Sequence, residues 1–169
     1  MKNVFTAAGC ALLVTACATV APDGPSATAL VRPASGSQVH GEARFTQVGN
    51  RVRVKAEIAG LSPGAHGFHI HEKGDCSAAD GMSTGGHFNP QAKKHGAPNT
   101  PDRHAGDLGN LNADEYGKAT LTLLVDGISV GKGADGVIGR GLIVHANADD
   151  LKTDPTGNAG GRYGCGVIE

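Results

Sequence analysis

The sequence predicts an all-β domain, an antiparallel sandwich or barrel, and three observations support this prediction. Residues 51–58 alternate polar and apolar side chains with a period of two, which is the pattern of a half-buried strand. No segment of the predicted domain shows a comparable 3.6-residue helical period. Glycine is abundant, at 27 of 169 residues, and tryptophan is absent, which favours many turns and a core of small aliphatic side chains.

The pattern places the elements in the following order. Strands are predicted over residues 27–32, 39–47, 51–58, 65–71, 118–125, 141–145 and 164–168. The turn signal Gly49-Asn50 joins the second and third strands in a hairpin. Residues 72–110 and 146–163 are rich in Gly, Asp, Asn and Pro and are predicted to be long loops. Loops of such length in a compact domain are usually functional or disordered.

The chain length suits a single compact domain. Residues 1–17 resemble an export signal, because Lys2 precedes an apolar run too short to span a bilayer. The signal ends either at a lipoprotein box that lipidates Cys17 or by cleavage of a plain signal peptide near Ala18 or Ala21. Thr6-Ala7-Ala8-Gly9-Cys10 is a second, imperfect candidate for the lipoprotein box. Residues 18–27 are then a flexible tether and residues 28–169 the domain. We expect a periplasmic or cell-envelope protein, attached to the membrane if Cys17 carries lipid.

Charge and cysteine content narrow the functional classes. The net charge is −1 and no run of like charges stands out, so a nucleic-acid surface is not expected. Cleavage of the signal removes Cys10 and either removes Cys17 or leaves it as a lipidated residue. Cys76 and Cys165 are then the two cysteines of the domain. In an oxidising compartment Cys76 and Cys165 are predicted to form a disulfide.

Histidines are concentrated in and beside the first predicted loop. His69 and His71 lie on the same face of a predicted strand, close enough to bind one ion. A full ligand set for tetrahedral zinc, three imidazoles and one carboxylate, lies within the loop: His87, His95, His104 and Asp107. His145 ends another apolar strand, but sequence spacing does not show whether it reaches His69 and His71. His40 is predicted to be a surface residue of a strand.

Several short motifs together resemble one known family. They are Gly67-Phe68-His69-Ile70-His71-Glu72, Gly86-His87-Phe88-Asn89-Pro90, Lys94-His95-Gly96, His104-Ala105-Gly106-Asp107-Leu108-Gly109-Asn110, Val144-His145, and the stretch from Gly157 to Ile168. In residue type, order and spacing this set resembles the copper/zinc superoxide dismutases, over about residues 28–169. The segment around Cys76 is similar to the bacterial branch of that family.

The resemblance implies a Greek-key β-sandwich, or flattened barrel, with two long functional loops. It implies that copper is bound by His69, His71, His87 and His145, and that zinc is bound by His87, His95, His104 and Asp107. Asp149 is then the carboxylate that connects a copper ligand, His69, to a zinc ligand, His95. Arg162 is the cation that meets the substrate, and His87 bridges both metals and donates a proton. Cys76 and Cys165 correspond to the family's disulfide, and His66 resembles a structural position outside the ligand set.

The implied function is superoxide dismutation, the conversion of two superoxide anions and two protons to dioxygen and hydrogen peroxide. The alternative is a non-catalytic copper-buffering or copper-delivery domain of the same fold. All four copper histidines and Arg162 are present, which favours the enzyme. Bacterial members of the family differ in oligomeric state, so both a monomer and a homodimer are compatible with the sequence.

Overall fold

The computed structural model describes residues 24–169, which form eight strands and one short 3-10 helix. The strands are β1 (Ser26–Pro33), β2 (His40–Val48), β3 (Arg51–Ala59), β4 (Gly64–His71), β5 (Asp107–Ala113), β6 (Ala119–Val125), β7 (Gly141–His145) and β8 (Arg162–Val167). The helix, Met82–Thr84, lies between β4 and β5. No helix in the described part of the chain is long and apolar enough to cross a membrane. The predicted signal, including Cys17, lies outside the described residues.

All eight strands pair in the order β5-β4-β7-β8-β1-β2-β3-β6, and every paired neighbour is antiparallel. The end of β1 connects the two halves of this sheet, because Arg32 lies opposite Cys165 of β8. The chain crosses between the halves after β3, after β5 and after β6, as in a Greek key. The predicted all-β Greek-key fold is therefore confirmed.

The core lies between the two halves and follows from the alternation of side chains. β2 and β3 form the predicted hairpin, with Val48 opposite Arg51 across the Gly49-Asn50 turn. Val52 and Val54 on the inner face of β3 are fully buried, as the period-two pattern predicts. Ile70 of β4 also points into this core, so the alternating residues His69 and His71 must point to the other face.

The structure corrects the sequence prediction at three places. β5 begins inside the predicted loop of residues 72–110, and its Leu108 and Leu111 are buried in the core. The strand is hard to recognise because its buried first residue, Asp107, is held by hydrogen bonds rather than by apolar packing. β8 begins at Arg162, two residues before the predicted start. β1 begins at Ser26, one residue before the predicted strand and within the predicted tether of residues 18–27.

Two long loops leave the β4-β7-β8 region of the sheet. The first long loop comprises residues 72–106 and the second comprises residues 146–161. The predicted disulfide between Cys76 and Cys165 is present, and it attaches the first long loop to β8. Beneath it, Cys165 packs in a small separate apolar cluster with Ala34 and Ile143. The disulfide thereby fixes part of the first long loop against the outer face of the sheet.

Candidate metal centre

Strand pairing brings together four histidines that are far apart in the sequence. His69 and His71 of β4 have no exposed surface, and β7 pairs with β4 so that His145 ends beside them. His87 of the first long loop forms an isolated backbone bridge with His71. The structure thus brings His145 into the group, which sequence spacing alone could not show. We call these four residues, His69, His71, His87 and His145, the four-histidine group.

Each imidazole of the four-histidine group has one nitrogen without a hydrogen-bond partner. These buried atoms are His69 Nδ1, His71 Nε2, His87 Nε2 and His145 Nε2. The four residues can each offer a ligand atom such that all four atoms lie within 4.8 Å of one another. Buried polar atoms normally have partners, so four unpartnered nitrogens in one place indicate a shared ligand. Imidazole nitrogen is a donor that suits copper.

The opposite nitrogens of the same rings are all occupied, which determines the tautomers. His69 Nε2 donates to Asp149 Oδ2 at 2.8 Å. His71 Nδ1 donates to the Gly85 carbonyl at 3.0 Å, and His145 Nδ1 donates to the Gly160 carbonyl at 3.3 Å. Since these nitrogens carry the protons, the unpartnered nitrogens carry the lone pairs.

Burial keeps these imidazoles neutral. It lowers the pKa of His69 to about 4 and the pKa of His145 to about 3. Burial also holds the pKa of His71 well below its ordinary value, and the electrostatic effects of the neighbouring His87 and Arg162 act in the same direction. Neutral imidazole is the form that binds a metal ion, so these residues can act as ligands at neutral pH without first losing a proton.

The second group of ligand candidates consists of His87, His95, His104 and Asp107, all of them buried. Asp107 Oδ1 lies 2.9 Å from His87 Nδ1, 3.1 Å from His95 Nδ1 and 3.2 Å from His104 Nδ1. His104 Nδ1 and His87 Nδ1 lie 3.4 Å apart. We call this the three-histidine–aspartate group.

These distances suit a tetrahedral zinc ion. Ligand atoms on a tetrahedron with bonds of about 2.0 to 2.1 Å lie about 3.3 Å apart. His95 Nδ1 has no hydrogen-bond partner and lies 3.1 Å from Asp107 Oδ1. Burial lowers the pKa of His95, but Asp107 and Asp149 outweigh it and raise that pKa to about 10, so a cation at this site must displace a proton from His95. Burial raises the pKa of Asp107, but the neighbouring imidazoles of His104, His87 and His95 outweigh it and hold that pKa far below its usual value. Asp107 is therefore a carboxylate and can bind a cation.

His87 belongs to both groups, with one nitrogen in each. Its Nδ1 faces Asp107, and its unpartnered Nε2 faces the four-histidine group. The rings of His69 and His87 are close, with centroids 4.1 Å apart. Two cations, one at each nitrogen, would strongly favour loss of the ring proton from His87. The predicted bridging position of His87 is thus geometrically available.

Asp149 of the second long loop connects the two groups. Its Oδ2 accepts a hydrogen bond from His69 Nε2, and its Oδ1 accepts one from His95 Nε2 at 2.9 Å. Gly157 is required for this arrangement, since a Cβ atom at that position would overlap both Asp149 Oδ1 and His95 Nε2. Gly157 also has a φ of 62°, which favours glycine.

Arg162 is the cation beside the four-histidine group. It begins β8 directly opposite His145 in the strand register. Its Nη1 donates to the Gly81 carbonyl at 2.9 Å and to Thr84 Oγ1 at 2.7 Å, and its Nη2 donates to the Gly85 carbonyl at 2.8 Å. Within residues 24–169, the Nε–H and one Nη2–H of Arg162 have no acceptor. Two donors are thus left for an anion.

The two other histidines, His66 and His40, lie outside both groups. His66 is buried, with Nδ1 2.9 Å from the His145 carbonyl and Nε2 2.9 Å from the Ser62 carbonyl, so it supports the backbone at His145. His40 is exposed at the start of β2.

Sequence reasoning missed Thr84 and the carbonyl of Gly85, which orient Arg162 and His71. No sequence signal marks a backbone carbonyl, because every residue has one. Thr84 gave no signal either, since a single threonine in a glycine-rich loop has no pattern around it.

Comparison with known proteins identifies the family. A family model described as copper/zinc superoxide dismutase matches residues 39–168. One solved structure, described as a crystal structure analysis of the clock protein EA4, is 46% identical to this chain and aligns with a TM-score of 0.76. The match covers 85% of this chain and 92% of that chain.

Proposed function

The chain belongs to the copper/zinc superoxide dismutase family, and we propose that it converts two superoxide anions and two protons to dioxygen and hydrogen peroxide. One observation carries the proposal: four unpartnered imidazole nitrogens converge beside an arginine that has two donors left for an anion. A zinc-stabilised structural domain would not need the four-histidine group or Arg162.

We assign copper to His69, His71, His87 and His145, and zinc to His87, His95, His104 and Asp107. The unpartnered nitrogens support the first assignment, and the tetrahedral distances around Asp107 support the second. Copper would supply one-electron redox chemistry, whereas zinc is redox-inert and would order the glycine-rich first long loop. Asp149 would hold the ligands His69 and His95 in the correct orientation for both metals.

Arg162 and His87 perform the substrate and proton steps in this proposal. Arg162 attracts and orients the anion, and its charge is close to the four-histidine group because β8 pairs with β7. His87 Nε2 is the atom that alternately gives and receives a proton, since Nδ1 faces the other group. The peroxide product takes one proton from His87 Nε2 and the second from solvent.

The test combines metal analysis with a superoxide-consumption assay. We expect one copper and one zinc per chain in the wild type, and consumption of superoxide well above that of free copper. His145→Ala removes a ligand of copper only, so zinc content should be retained while activity falls more than about 100-fold, beyond the effect of an outer-sphere change. His40→Ala, an exposed histidine outside both groups, is the matched control and should behave as wild type.

The same assay separates the enzyme from the alternative. A copper-buffering or copper-delivery domain would bind copper at the four-histidine group and lose it in His145→Ala, but it would consume no superoxide beyond the rate of the free ion. That result would exclude the proposed enzyme and leave the metal assignment intact.

We also propose export to the periplasm or cell envelope. The Cys76–Cys165 disulfide supports this, because disulfides persist in oxidising compartments. The mass of the mature protein tests the processing: a lipid on Cys17 and a plain new terminus near Ala18 or Ala21 differ by the mass of the lipid. Sedimentation equilibrium of the same preparation distinguishes a monomer from a homodimer.

A further inference from the structure

We propose that Thr84 is a positioning residue for Arg162. Its hydroxyl holds the guanidinium in the orientation that presents the two remaining N–H groups to an incoming anion. The inference rests on the proposed function for the identity of that anion, superoxide, but the orientation of Arg162 can be measured without any enzymatic activity.

Thr84 is the only side chain, among the described residues, that contacts the Arg162 guanidinium through a hydrogen bond. Its Oγ1 accepts from Arg162 Nη1 at 2.7 Å and donates to the Gly81 carbonyl at 2.8 Å. The Gly81 carbonyl also accepts from Arg162 Nη1. The hydroxyl thus gives its one proton to the Gly81 carbonyl, and Arg162 is the nearer of the two donors around its oxygen, since His71 Nδ1 lies 3.5 Å away.

The threonine side chain is itself held rigidly. Thr84 has no exposed surface. A Cβ on Gly141 of β7 would meet Thr84 Cγ2 at 2.9 Å, so the threonine methyl packs directly against that glycine. A β-branched side chain with its methyl fixed in this way has one position for its hydroxyl. The orientation of Arg162 thus depends on the packing of Thr84 against β7, the strand that also carries His145.

The other contacts of Arg162 cannot substitute for this hydroxyl. They are carbonyls of Gly81 and Gly85, in a segment where both glycines have positive φ values and only the turn Met82–Thr84 intervenes. Backbone at glycine has more conformational freedom than elsewhere. Without the Thr84 hydroxyl, this segment would contact the guanidinium only through the two carbonyls.

The test is the isosteric change Thr84→Val, which keeps the shape and removes the hydroxyl. Phenylglyoxal, which condenses with both terminal nitrogens of an arginine, is used as a probe and peptide mass mapping reports the modification of Arg162. We expect modification to become about three- to tenfold faster, and kcat/KM for superoxide to fall by a similar factor, as for one lost hydrogen bond. The charge is unchanged, so the dependence on ionic strength should remain that of wild type.

Three comparisons make the result specific. Thr84→Ser keeps the hydroxyl but loses the methyl that packs on Gly141, so its modification rate and activity should lie nearer to wild type than those of Thr84→Ala. This pair isolates the hydroxyl even if the valine variant does not fold. Thr122→Val, an exposed threonine on β6, is the matched control and should change neither rate. In an Arg162→Lys background, Thr84→Val should have no additional effect on kcat/KM, because its action passes through the guanidinium.

The proposal is wrong if the serine and alanine variants have equal modification rates, or if Thr84→Val weakens the Arg162→Lys enzyme as much as it weakens the wild type. The modification assay does not need superoxide turnover. Failure of the proposed enzymatic function would therefore leave the positioning of Arg162 by Thr84 open to a direct measurement.

Discussion

The Oδ2 atom of Asp149 lies 2.8 Å from Nε2 of His69, and both side chains are completely buried. This contact fastens the second long loop to β4. Since the other carboxylate oxygen accepts from His95, one residue controls the orientation of ligand candidates in both groups. Burial raises the pKa of Asp149, but hydrogen bonds from His69 and His95 outweigh it and hold that pKa well below its usual value, so the group is ionised.

Asp149→Asn should weaken metal binding. An amide keeps the shape but has only one acceptor oxygen for two imidazole N–H donors, so one of the two rings loses its partner. We expect the affinity for copper or zinc to fall about 10- to 100-fold, measured by competition with a chelator. Asp135→Asn, an exposed aspartate in the loop after β6, is the control. Equal affinities in the two variants would contradict the role of Asp149.

Gly157→Ala should have the same effect through a different route. A methyl group at this position would overlap Asp149 Oδ1 and His95 Nε2, so Asp149 must move away from His95. We expect weaker zinc binding and a lower free energy of unfolding. Gly131→Ala, where a Cβ meets no atom within 4 Å, should leave both unchanged. Wild-type zinc affinity in Gly157→Ala would show that the two residues are not coupled as described.

Loss of the disulfide should reduce stability strongly. Cys76 and Cys165 are 89 residues apart in sequence, and in the chain-entropy model a loop of that length contributes about 4 to 5 kcal/mol. We expect the double change of Cys76 and Cys165 to Ser to lower the free energy of unfolding in urea by about this amount. Reduction of the wild type should have the same effect. A loss below about 1 kcal/mol would mean that the first long loop is held by its other contacts.

Asp150 should contribute to the acid sensitivity of the metal-free protein. Two hydrogen bonds from Thr153 lower the pKa of Asp150 from 3.8 to about 2. The bond from the hydroxyl has the larger effect and the bond from the backbone N–H the smaller one. Since the folded pKa is the lower one, the stabilisation is fully present above about pH 4 and is lost as the pH falls toward 2. Thr153→Val should move the carboxyl titration of Asp150, followed by NMR, upward toward its ordinary value. An unchanged midpoint would contradict this account.

Local patterns in the sequence were sufficient for most of the strands. The hairpin of β2 and β3 was predicted because alternation and a turn signal are properties of neighbouring residues. β5 was missed because Asp107 is both a strand residue and a ligand candidate, so a polar group occupies a buried position. Sequence patterns identify buried strands by apolar residues and therefore fail where hydrogen bonds replace apolar packing.

The three-histidine–aspartate group could be predicted from composition, since three of its members lie in one loop and the fourth directly follows it. The four-histidine group could not be predicted in this way. His145 reaches His69 and His71 only because β7 pairs with β4, and Arg162 follows only because β8 pairs with β7. The alternation of residues therefore specified which side chains share a face. Long-range packing decides the strand order and the crossings of the loops, and no local pattern encodes it. The same packing brings the carbonyls that accept hydrogen bonds from Arg162 and His71 into place.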